Sequence, residues 1–152
     1  MRILKQLRQD EGLVLMPYRC PRGFWTIGYG HKIDDLLALI LIHNCAAPTI
    51  TESQAQDLLL ADYSRAERDV DVVVGAVPMS EARRDALVMM AFNLGQPTFV
   101  GFRRMLSAIR REDWSEASRE ALDSRWRSQV GERAVRIAKM FESGEWPEND
   151  SE

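Results

Sequence analysis

Glu11, Cys20 and Thr26 are three residues whose types and spacing could carry out one reaction together. Cleavage of a glycosidic bond needs a carboxylic acid that protonates the leaving oxygen, and a second group that activates water or attacks the anomeric carbon. Glu11 can supply the proton, Cys20 can be the second group, and the Thr26 hydroxyl can hold a water molecule. Spacing alone does not decide, because Glu11 could equally be a surface carboxylate of any helix.

Two local elements would bring these side chains to one groove. Residues 2–11 place Ile3, Leu4 and Leu7 on one helical face, and Gly12 is a natural stop, so Glu11 lies at the end of a short helix.

The following segment, "LVLMPYRCPRGFWTIGYG", is rich in aromatic and β-branched residues and is interrupted at 20–23. Pro at the second and Gly at the fourth position of this break suit a type I turn, which predicts two short antiparallel strands. Pro21 favours an extended Cys20 at the rim of this hairpin, with Thr26 on the return strand.

The rest of the chain is predicted to be helical. A T-x-x-Q capping box at Thr51 opens a helix of about twenty residues, and a Ser80 cap opens a largely apolar, central buried helix that ends at Gly95. Shorter helices are expected at about 102–111, 114–123 and 131–143. The fold class is therefore α+β and mainly α, with one small N-terminal sheet.

Composition excludes several classes of protein. The 152 residues, 45% hydrophobic and 28% charged, indicate an ordinary globular chain that fits one domain, or two small lobes sharing a core. The N-terminus has no signal-peptide pattern, so export by the general secretory route is not expected. The apolar run "LLALILI" at 36–42 is too short to span a bilayer and is predicted to be core. Cys20 and Cys45 have no metal-ligand spacing and are expected to be thiols in a reducing cytosol.

Charge is unevenly distributed along the chain. The net charge is −3, yet residues 99–140 carry ten Arg or Lys against six Asp or Glu, and residues 141–152 carry five acids and no base. The basic stretch could hold an anionic polymer, or it could be the solvated surface of ordinary helices.

Several segments, in order and spacing, resemble one family. "LRQDEG" followed by "PYRCPRGFWTIGYGH" is similar to the Glu, eight residues, Asp or Cys, five residues, Thr signature of the phage-type lysozymes, the endolysins related to the T-even phage enzyme. "TESQAQDLLLAD", "AFNLGQPTFVGFRRML" and "DWSEASREALDSRWRSQVGERAVRIAKMFESGEW" extend the resemblance over nearly the whole chain. It implies one lysozyme-like catalytic domain over 1–152: a β-containing lobe at about 13–55, a connecting helix at about 52–73, and a helical lobe at about 74–146 with helix 2–11 packed on it.

The resemblance also implies roles for single residues. Glu11 would be the general acid, Thr26 would position the hydrolytic water, and Arg133 matches an arginine that reaches the catalytic glutamate. Arg133 in an ordinary surface salt bridge is the alternative.

Phe92 and Asn93 match cleft residues that touch the saccharide, with plain core packing as the alternative for Phe92. His31 and Asp62 match an ion pair between the hairpin and the long helix that stabilises the fold.

Cys20 stands where the T-even enzyme has an aspartate, and other family members carry cysteine there. A thiol of pKa about 8.5 is only slightly ionised at neutral pH, whereas a carboxyl of pKa about 3.9 is fully ionised. Arg19 and Arg22 flank Cys20 and could lower its pKa. Three hypotheses stay open: a thiolate that attacks or activates water, a residue that is nearly dispensable, and a redox switch that could pair with Cys45.

The function that the resemblance implies is that of an endolysin. Such a muramidase hydrolyses the β-1,4 bond between N-acetylmuramic acid and N-acetylglucosamine in bacterial peptidoglycan during host cell lysis. It would act as a monomer and would need no metal or organic cofactor. It would not bind nucleic acid or insert stably into a membrane. It would collect in the host cytoplasm and reach the periplasm through a holin pore. The alternatives are a lytic transglycosylase and a non-catalytic peptidoglycan-binding protein.

Overall fold

A computed structural model of the chain describes residues 1–44 and 49–148, apart from the side chain of Asn44. The chain divides into two compact units, Met1–Ser64 (unit 1) and Arg65–Glu152 (unit 2). Helices dominate and one small antiparallel sheet lies near the N-terminus, which confirms the predicted α+β, mainly α, lysozyme-like class. Cys45 lies outside the described residues, and so does the suggested pairing of Cys20 with it.

Unit 1 begins with a helix and a sheet. Its elements are α1 (Arg2–Glu11), β1 (Val14–Arg19), β2 (Trp25–Gly28), β3 (His31–Lys32), α2 (Asp35–Asn44) and the first half of α3 (Glu52–Val74). Ile3 and Leu7 are the buried residues of α1, as the apolar spacing predicts. The helix ends at Gly12, whose φ of 68° suits glycine and whose N–H donates to the Arg8 carbonyl. Glu11 is therefore the last helical residue.

The hairpin forms where the turn residues predict it. The Gly23 N–H donates to the Cys20 carbonyl at 2.8 Å and closes the turn, and the Cys20 N–H donates to the Phe24 carbonyl at 2.9 Å. Tyr18 pairs with Thr26 across β1 and β2. The sheet has a third strand, β3, that the sequence did not predict, because a two-residue strand leaves no alternation to detect.

Helix α2 contradicts one expectation. The run at 36–42 was predicted to be core, but Leu36 is 69% exposed and Leu37, Leu39, Ile40 and Ile42 are exposed as well. Ala38 alone is fully buried in this run. The prediction was wrong because a continuous apolar run has no periodicity that tells which face packs, and this short helix buries only a narrow strip.

Helix α3 has the predicted capping box. The Gln54 N–H donates to Thr51 Oγ1 at 3.1 Å, and the Thr51 N–H donates to Gln54 Oε1 at 2.9 Å. These two bonds satisfy donors that the first turn would otherwise leave free. Within unit 1, Arg8 Nε donates to Gln56 Oε1 at 3.0 Å and so links α1, which carries Glu11, to α3.

Unit 2 is helical throughout its described part. It contains the second half of α3, then α4 (Glu81–Leu94), α5 (Gln96–Phe99), α6 (Arg103–Arg110), α7 (Trp114–Leu122), α8 (Arg125–Val130) and α9 (Glu132–Ser143). Helix α4 is the central buried helix that was predicted, and the Ser80 hydroxyl caps it by accepting from the Arg83 N–H. Helices α6, α7 and α9 also confirm the prediction, whereas α5 and α8 are too short to carry a periodic signal. No helix in the described part of either unit is long and apolar enough to cross a membrane.

Candidate active site

Glu11 is held against a glycine of the sheet. An ideal Cβ built on Gly30 would lie 3.1 Å from Glu11 Cδ and 2.6 Å from its Oε2, and the second distance is shorter than real Cβ atoms show. Gly30 also has a φ of 72°, a conformation that side chains other than glycine rarely adopt. The half-buried Glu11 carboxylate therefore occupies space that only a glycine at position 30 leaves open.

Cys20 and Thr26 meet at the hairpin rim. Thr26 is 3% exposed, and its hydroxyl donates to the Phe24 carbonyl at 3.0 Å. The same hydroxyl is within hydrogen-bonding reach of the half-buried Cys20 thiol. Because a hydroxyl has one proton, it can donate either to the carbonyl or to the sulfur at any moment. The sequence predicted this neighbourhood, with Cys20 at the rim and Thr26 on the return strand.

The environment of Cys20 favours its ionised form. Burial raises the pKa of the thiol, but hydrogen bonds from the backbone N–H groups of Phe24 and Arg22 and from the Thr26 hydroxyl lower it. The charge of Lys32 lowers the pKa further. The pKa of the Cys20 thiol therefore lies below the ordinary value for cysteine.

The arginines that flank Cys20 contribute differently from expectation. Their guanidinium groups lie over aromatic rings, Arg19 at 4.6 Å from the centre of Trp25 and Arg22 at 5.8 Å from that of Phe24. The cation that lowers the Cys20 pKa is Lys32 instead.

Tyr18 connects the two candidate catalytic groups electrostatically. Burial raises the pKa of its phenol, and the negative charges of Glu11 and Cys20 raise that pKa further. A charge acts this way only at short range, so the half-buried Tyr18 side chain lies near both groups. Its neutral hydroxyl can donate one hydrogen bond and accept others.

The predicted pair of His31 and Asp62 is confirmed. His31 Nδ1 lies 2.8 Å from Asp62 Oδ2, and Asp62 is buried. The pair joins β3 to α3 within unit 1, which fits the stabilising role that the family resemblance implies.

The three residues predicted to bind substrate lie in unit 2. Phe92 and Asn93 are half-buried near the end of α4, and Arg133 is half-buried in the first turn of α9. Trp126 Nε1 donates to Asn93 Oδ1 at 2.8 Å, so the orientation of the Asn93 amide is fixed. Phe102 packs edge to face on Trp126, with 6.3 Å between ring centres.

Sequence reasoning missed Tyr18, Gly30, Lys32 and Trp126. The glycine is part of the "GYGH" segment, where a positive φ was a reasonable inference, but its contact with a carboxylate nineteen residues away is not readable locally. The other three act through contacts that only the folded chain creates.

Unit 1 thus combines groups suited to acid–base chemistry at a glycosidic bond. Glu11 is a carboxyl group packed on a glycine, and Cys20 is a thiol whose surroundings favour the thiolate. Tyr18 lies near both, and the Thr26 hydroxyl lies beside the thiol. A proton donor together with an anionic or basic group is the minimum that glycoside hydrolysis requires.

The comparisons with known proteins show the family of this chain. The phage lysozyme family model matches residues 8–139. Probable T4-type lysozyme 1 of Dictyostelium discoideum is 28% identical, over 93% of this chain and 94% of its own length. An endolysin of Acyrthosiphon pisum secondary endosymbiont phage 1 is 30% identical, over 75% of this chain and 70% of its own.

The pre-baseplate central spike protein Gp5 of Enterobacteria phage T4 is 30% identical over 95% of this chain, which spans only 28% of that longer protein. Since the family model covers most of the sequence, the chain belongs to the phage lysozyme family.

Proposed function

We propose that this chain is a muramidase that hydrolyses the β-1,4 bond between N-acetylmuramic acid and N-acetylglucosamine in bacterial peptidoglycan. Membership in the phage lysozyme family supports the broader statement, a lysozyme-type enzyme that hydrolyses peptidoglycan. The observation that carries the finer proposal is the Cys20 thiol, whose hydrogen bonds and neighbouring Lys32 favour an anion in the unit that holds Glu11.

Glu11 is the general acid of the proposed reaction. Its carboxyl proton passes to the glycosidic oxygen as the bond from that oxygen to the anomeric carbon breaks. Gly30, which has no side chain, leaves room for the carboxyl group, and the nearby Tyr18 hydroxyl can hydrogen-bond the carboxylate that remains.

Cys20 is the second catalytic group. As a thiolate it stabilises the positive charge that develops on the sugar ring and accepts a proton from the attacking water, whose oxygen bonds to the anomeric carbon. Thr26 positions that water by accepting a hydrogen bond from it, since a hydroxyl oxygen that donates to Phe24 still has lone pairs. Afterwards the thiol has gained one proton and Glu11 has lost one, and exchange with solvent restores both.

Phe92, Asn93 and Arg133 are the proposed substrate-binding residues of unit 2. An aromatic ring that is half-exposed can stack on a sugar face, and an amide fixed by Trp126 can donate to a carbonyl or hydroxyl group. A guanidinium group in the first turn of α9 is suited to an anionic or carbonyl partner.

The proposed biological role is that of an endolysin in host cell lysis. The enzyme would act as a monomer without a cofactor, accumulate in the host cytoplasm and reach peptidoglycan in the periplasm through a holin pore. Relatives named endolysin support the lytic role.

Product analysis tests the proposal. Purified peptidoglycan is incubated with the native protein under reducing conditions, and the released muropeptides are identified by mass spectrometry. Hydrolysis gives products with a reducing end, whereas a lytic transglycosylase gives anhydro-sugar ends and a wall-binding protein gives no products. We expect reducing ends, and a decrease of roughly 10²- to 10⁴-fold in rate for both Glu11→Gln and Cys20→Ala.

Full activity of Cys20→Ala would show that the thiol is dispensable. Equal activity of the oxidised and the reduced native protein would argue against a redox switch.

A further inference from the structure

Helix α2 concentrates exposed apolar side chains in one short element of unit 1. The exposed leucines and isoleucines of this helix are Leu36, Leu37, Leu39, Ile40 and Ile42. In the described part of unit 2, by contrast, the exposed large apolar side chains are Val72 and Val100, which belong to different parts of the chain. Single exposed apolar residues are normal on a protein surface, whereas a contiguous patch marks a contact site.

Folding explains the ends of α2 but not its sides. Asp34 Oδ1 accepts from the Leu37 N–H at 2.7 Å, Asp35 lies in the first turn, and His43 lies in the last turn. These placements suit the dipole of the helix and cap its start. Between them, residues 36–42 include no polar or charged side chain. The helix is thus specified locally, and its exposed apolar side chains are left for a partner.

The exposed side chains cover more than half of the circumference of α2. At 3.6 residues per turn, positions 42, 39, 36, 40 and 37 follow one another around the helix over an arc of about 220°. The opposite side carries the buried Ala38 and the half-buried Leu41, and α2 packs beside β1. A helix that packs on folded protein typically uses an apolar stripe about 100° wide. A fluid lipid phase, however, can contact the whole arc at once.

The size of this surface also favours lipid over a second copy of the chain. Seven residues of helix rise only about 10 Å, so α2 can lie along a bilayer whose hydrocarbon core is about 30 Å thick but cannot cross it. The exposed apolar surface of α2 is roughly a few hundred Å². A stable interface between two folded copies buries about 800 Å² on each partner. Helices at a membrane surface need only sink their apolar side chains about 5–10 Å.

We propose that α2 docks unit 1 reversibly on the surface of a phospholipid bilayer, with the exposed side chains of 36–42 just below the lipid headgroups. The attraction is apolar rather than electrostatic, because Asp34 and Asp35 stand at the start of the helix and the chain has a net charge of −3. This inference goes beyond the proposed function and does not depend on it. Docking would concentrate the enzyme at the membrane that lies beside the cell wall.

Vesicle sedimentation tests the inference. The protein is mixed with sucrose-loaded phosphatidylcholine vesicles, and the bound fraction is measured at increasing lipid concentration. We expect the native protein to bind with a partition coefficient that changes by less than about 2-fold between 0.1 and 0.5 M NaCl, since salt screens charges but not apolar contacts. Leu36→Gln/Ile40→Gln should lower this coefficient by roughly 10- to 100-fold, because two large apolar side chains no longer leave water.

Val72→Gln/Val100→Gln is the matched control. It removes two exposed apolar side chains of unit 2 and should bind vesicles like the native protein. Glutamine is a good helix former, so both double variants should keep the native Tm. Hydrogen exchange read by mass spectrometry locates the contact. Vesicles should slow exchange in the peptide that spans α2 of the native protein and leave that of Leu36→Gln/Ile40→Gln unchanged.

Two kinds of result would overturn the inference. The first is vesicle binding that is absent, or that is equal in the native protein and Leu36→Gln/Ile40→Gln. A dimer seen by analytical ultracentrifugation and abolished by this variant would then assign α2 to a second copy. The second is binding that requires anionic phosphatidylglycerol and disappears at 0.5 M NaCl, because it would be electrostatic.

The outcomes also separate this inference from the proposed function. A native protein that releases muropeptides but does not bind vesicles refutes only the docking of α2. One that binds vesicles but releases nothing refutes the proposed hydrolysis and leaves the docking surface standing. Because Leu36 and Ile40 are not among the proposed catalytic or substrate-binding residues, their double variant should keep the native kcat/KM on soluble peptidoglycan fragments.

Discussion

The single hydroxyl proton of Thr26 has two acceptors, the Phe24 carbonyl and the Cys20 sulfur. A neutral thiol is a weak acceptor, so the Thr26 hydroxyl donates to the carbonyl when Cys20 is protonated. When the thiolate forms, the hydroxyl gains more by turning to the sulfur, because hydrogen bonds to charged groups are the stronger ones. Thr26 thus stabilises the ionised state of its neighbour in addition to any role toward water.

Thr26→Ala should therefore raise the pKa of Cys20. The alanine removes a donor to the thiolate but leaves the backbone N–H groups of Phe24 and Arg22 in place. The measurement is the pH dependence of alkylation by iodoacetamide, read by mass spectrometry on the peptide that contains Cys20. The midpoint should move to higher pH in Thr26→Ala and stay near the native value in Thr26→Ser. An unchanged midpoint in Thr26→Ala would exclude the hydroxyl as a donor.

Gly30→Ala should damage catalysis more than stability. The new Cβ would meet the Glu11 carboxylate at 2.6 Å and displace it, and a shift of about 1 Å at a catalytic group can cost about 10²-fold in rate. The positive φ alone costs about 1–2 kcal/mol for alanine.

Gly75→Ala is the matched control, since Gly75 has a φ of 58° and nothing within 4 Å of its Cβ position. Both variants should lose similar stability in chemical denaturation, and only Gly30→Ala should lose activity. Equal activity in the two variants would contradict the role given to Gly30.

How much of the site was predictable differs from residue to residue. Glu11, Cys20 and Thr26 were predicted as candidate catalytic residues because their spacing and the turn residues at 20–23 are local features. The structure brings Cys20 and Thr26 together, and the catalytic roles stay predictions. The source of the thiol's lowered pKa was not found. Arg19 and Arg22 are neighbours in sequence, but it is the charge of Lys32 that lowers the pKa of the thiol, because β3 pairs with β2 and brings Lys32 beside Thr26.

At the level of elements, α2 is the part of the fold that departs most from expectation. A helix that is apolar on all sides is normally buried, yet the described part of α2 exposes most of its leucine and isoleucine side chains. The sequence predicted core at 36–42 and no helix there, and the exposure of α2 depends on how much of β1 and its surroundings it covers. The starts of α3 and α4 were easier to predict, because Thr51, Gln54 and Ser80 cap these helices through local hydrogen bonds.

Substitution at exposed positions of α2 should leave stability nearly unchanged. Leu36→Lys should alter the free energy of unfolding by no more than about 0.5 kcal/mol, as is usual for surface sites. Leu59→Ala in α3, where the side chain is 1% exposed, should cost about 2–5 kcal/mol. Urea denaturation of both variants checks this pair. A loss of more than about 2 kcal/mol for Leu36→Lys would mean that Leu36 is buried in the folded protein.

For the molecule as a whole, Asp85 makes stability depend on pH. Burial raises the pKa of this carboxyl, and the charges of Glu81 and Glu67 raise it further. The hydrogen bond that Trp146 Nε1–H donates at 3.0 Å and the charge of Arg84 lower the pKa, but they do not cancel the rise. The unfolded chain therefore gives up this proton at lower pH than the folded one. Stability falls as pH rises from about 3.9 through the higher folded value, and stays reduced above it.

Asp85→Asn should remove this loss of stability at neutral pH. The amide oxygen can still accept from Trp146, and no charge has to be buried. Thermal unfolding at pH 7 should give a higher Tm for Asp85→Asn than for the native protein, and the difference should shrink as pH approaches 3. A lower Tm for the variant at pH 7 would mean that the charged hydrogen bond to Trp146 outweighs the effect of burial.

The fold class and the order of the main elements could be predicted from the sequence, because caps, turns and helical periodicity are local. The division into Met1–Ser64 and Arg65–Glu152 could not, since it falls inside the continuous helix α3 and reflects which residues pack together. The predicted lobe boundaries and the packing of helix 2–11 stay predictions.

The most direct test of the proposed Glu11 and Cys20 pair is the pH dependence of kcat/KM on soluble peptidoglycan fragments, for the native protein and for Cys20→Asp. If the thiolate is the working form, native activity rises with pH as Cys20 ionises, at the same midpoint as its alkylation. Aspartate, with an ordinary pKa of about 3.9, is already ionised there, so the rise in Cys20→Asp should move to lower pH. Superimposable profiles for the two proteins would contradict a catalytic thiolate.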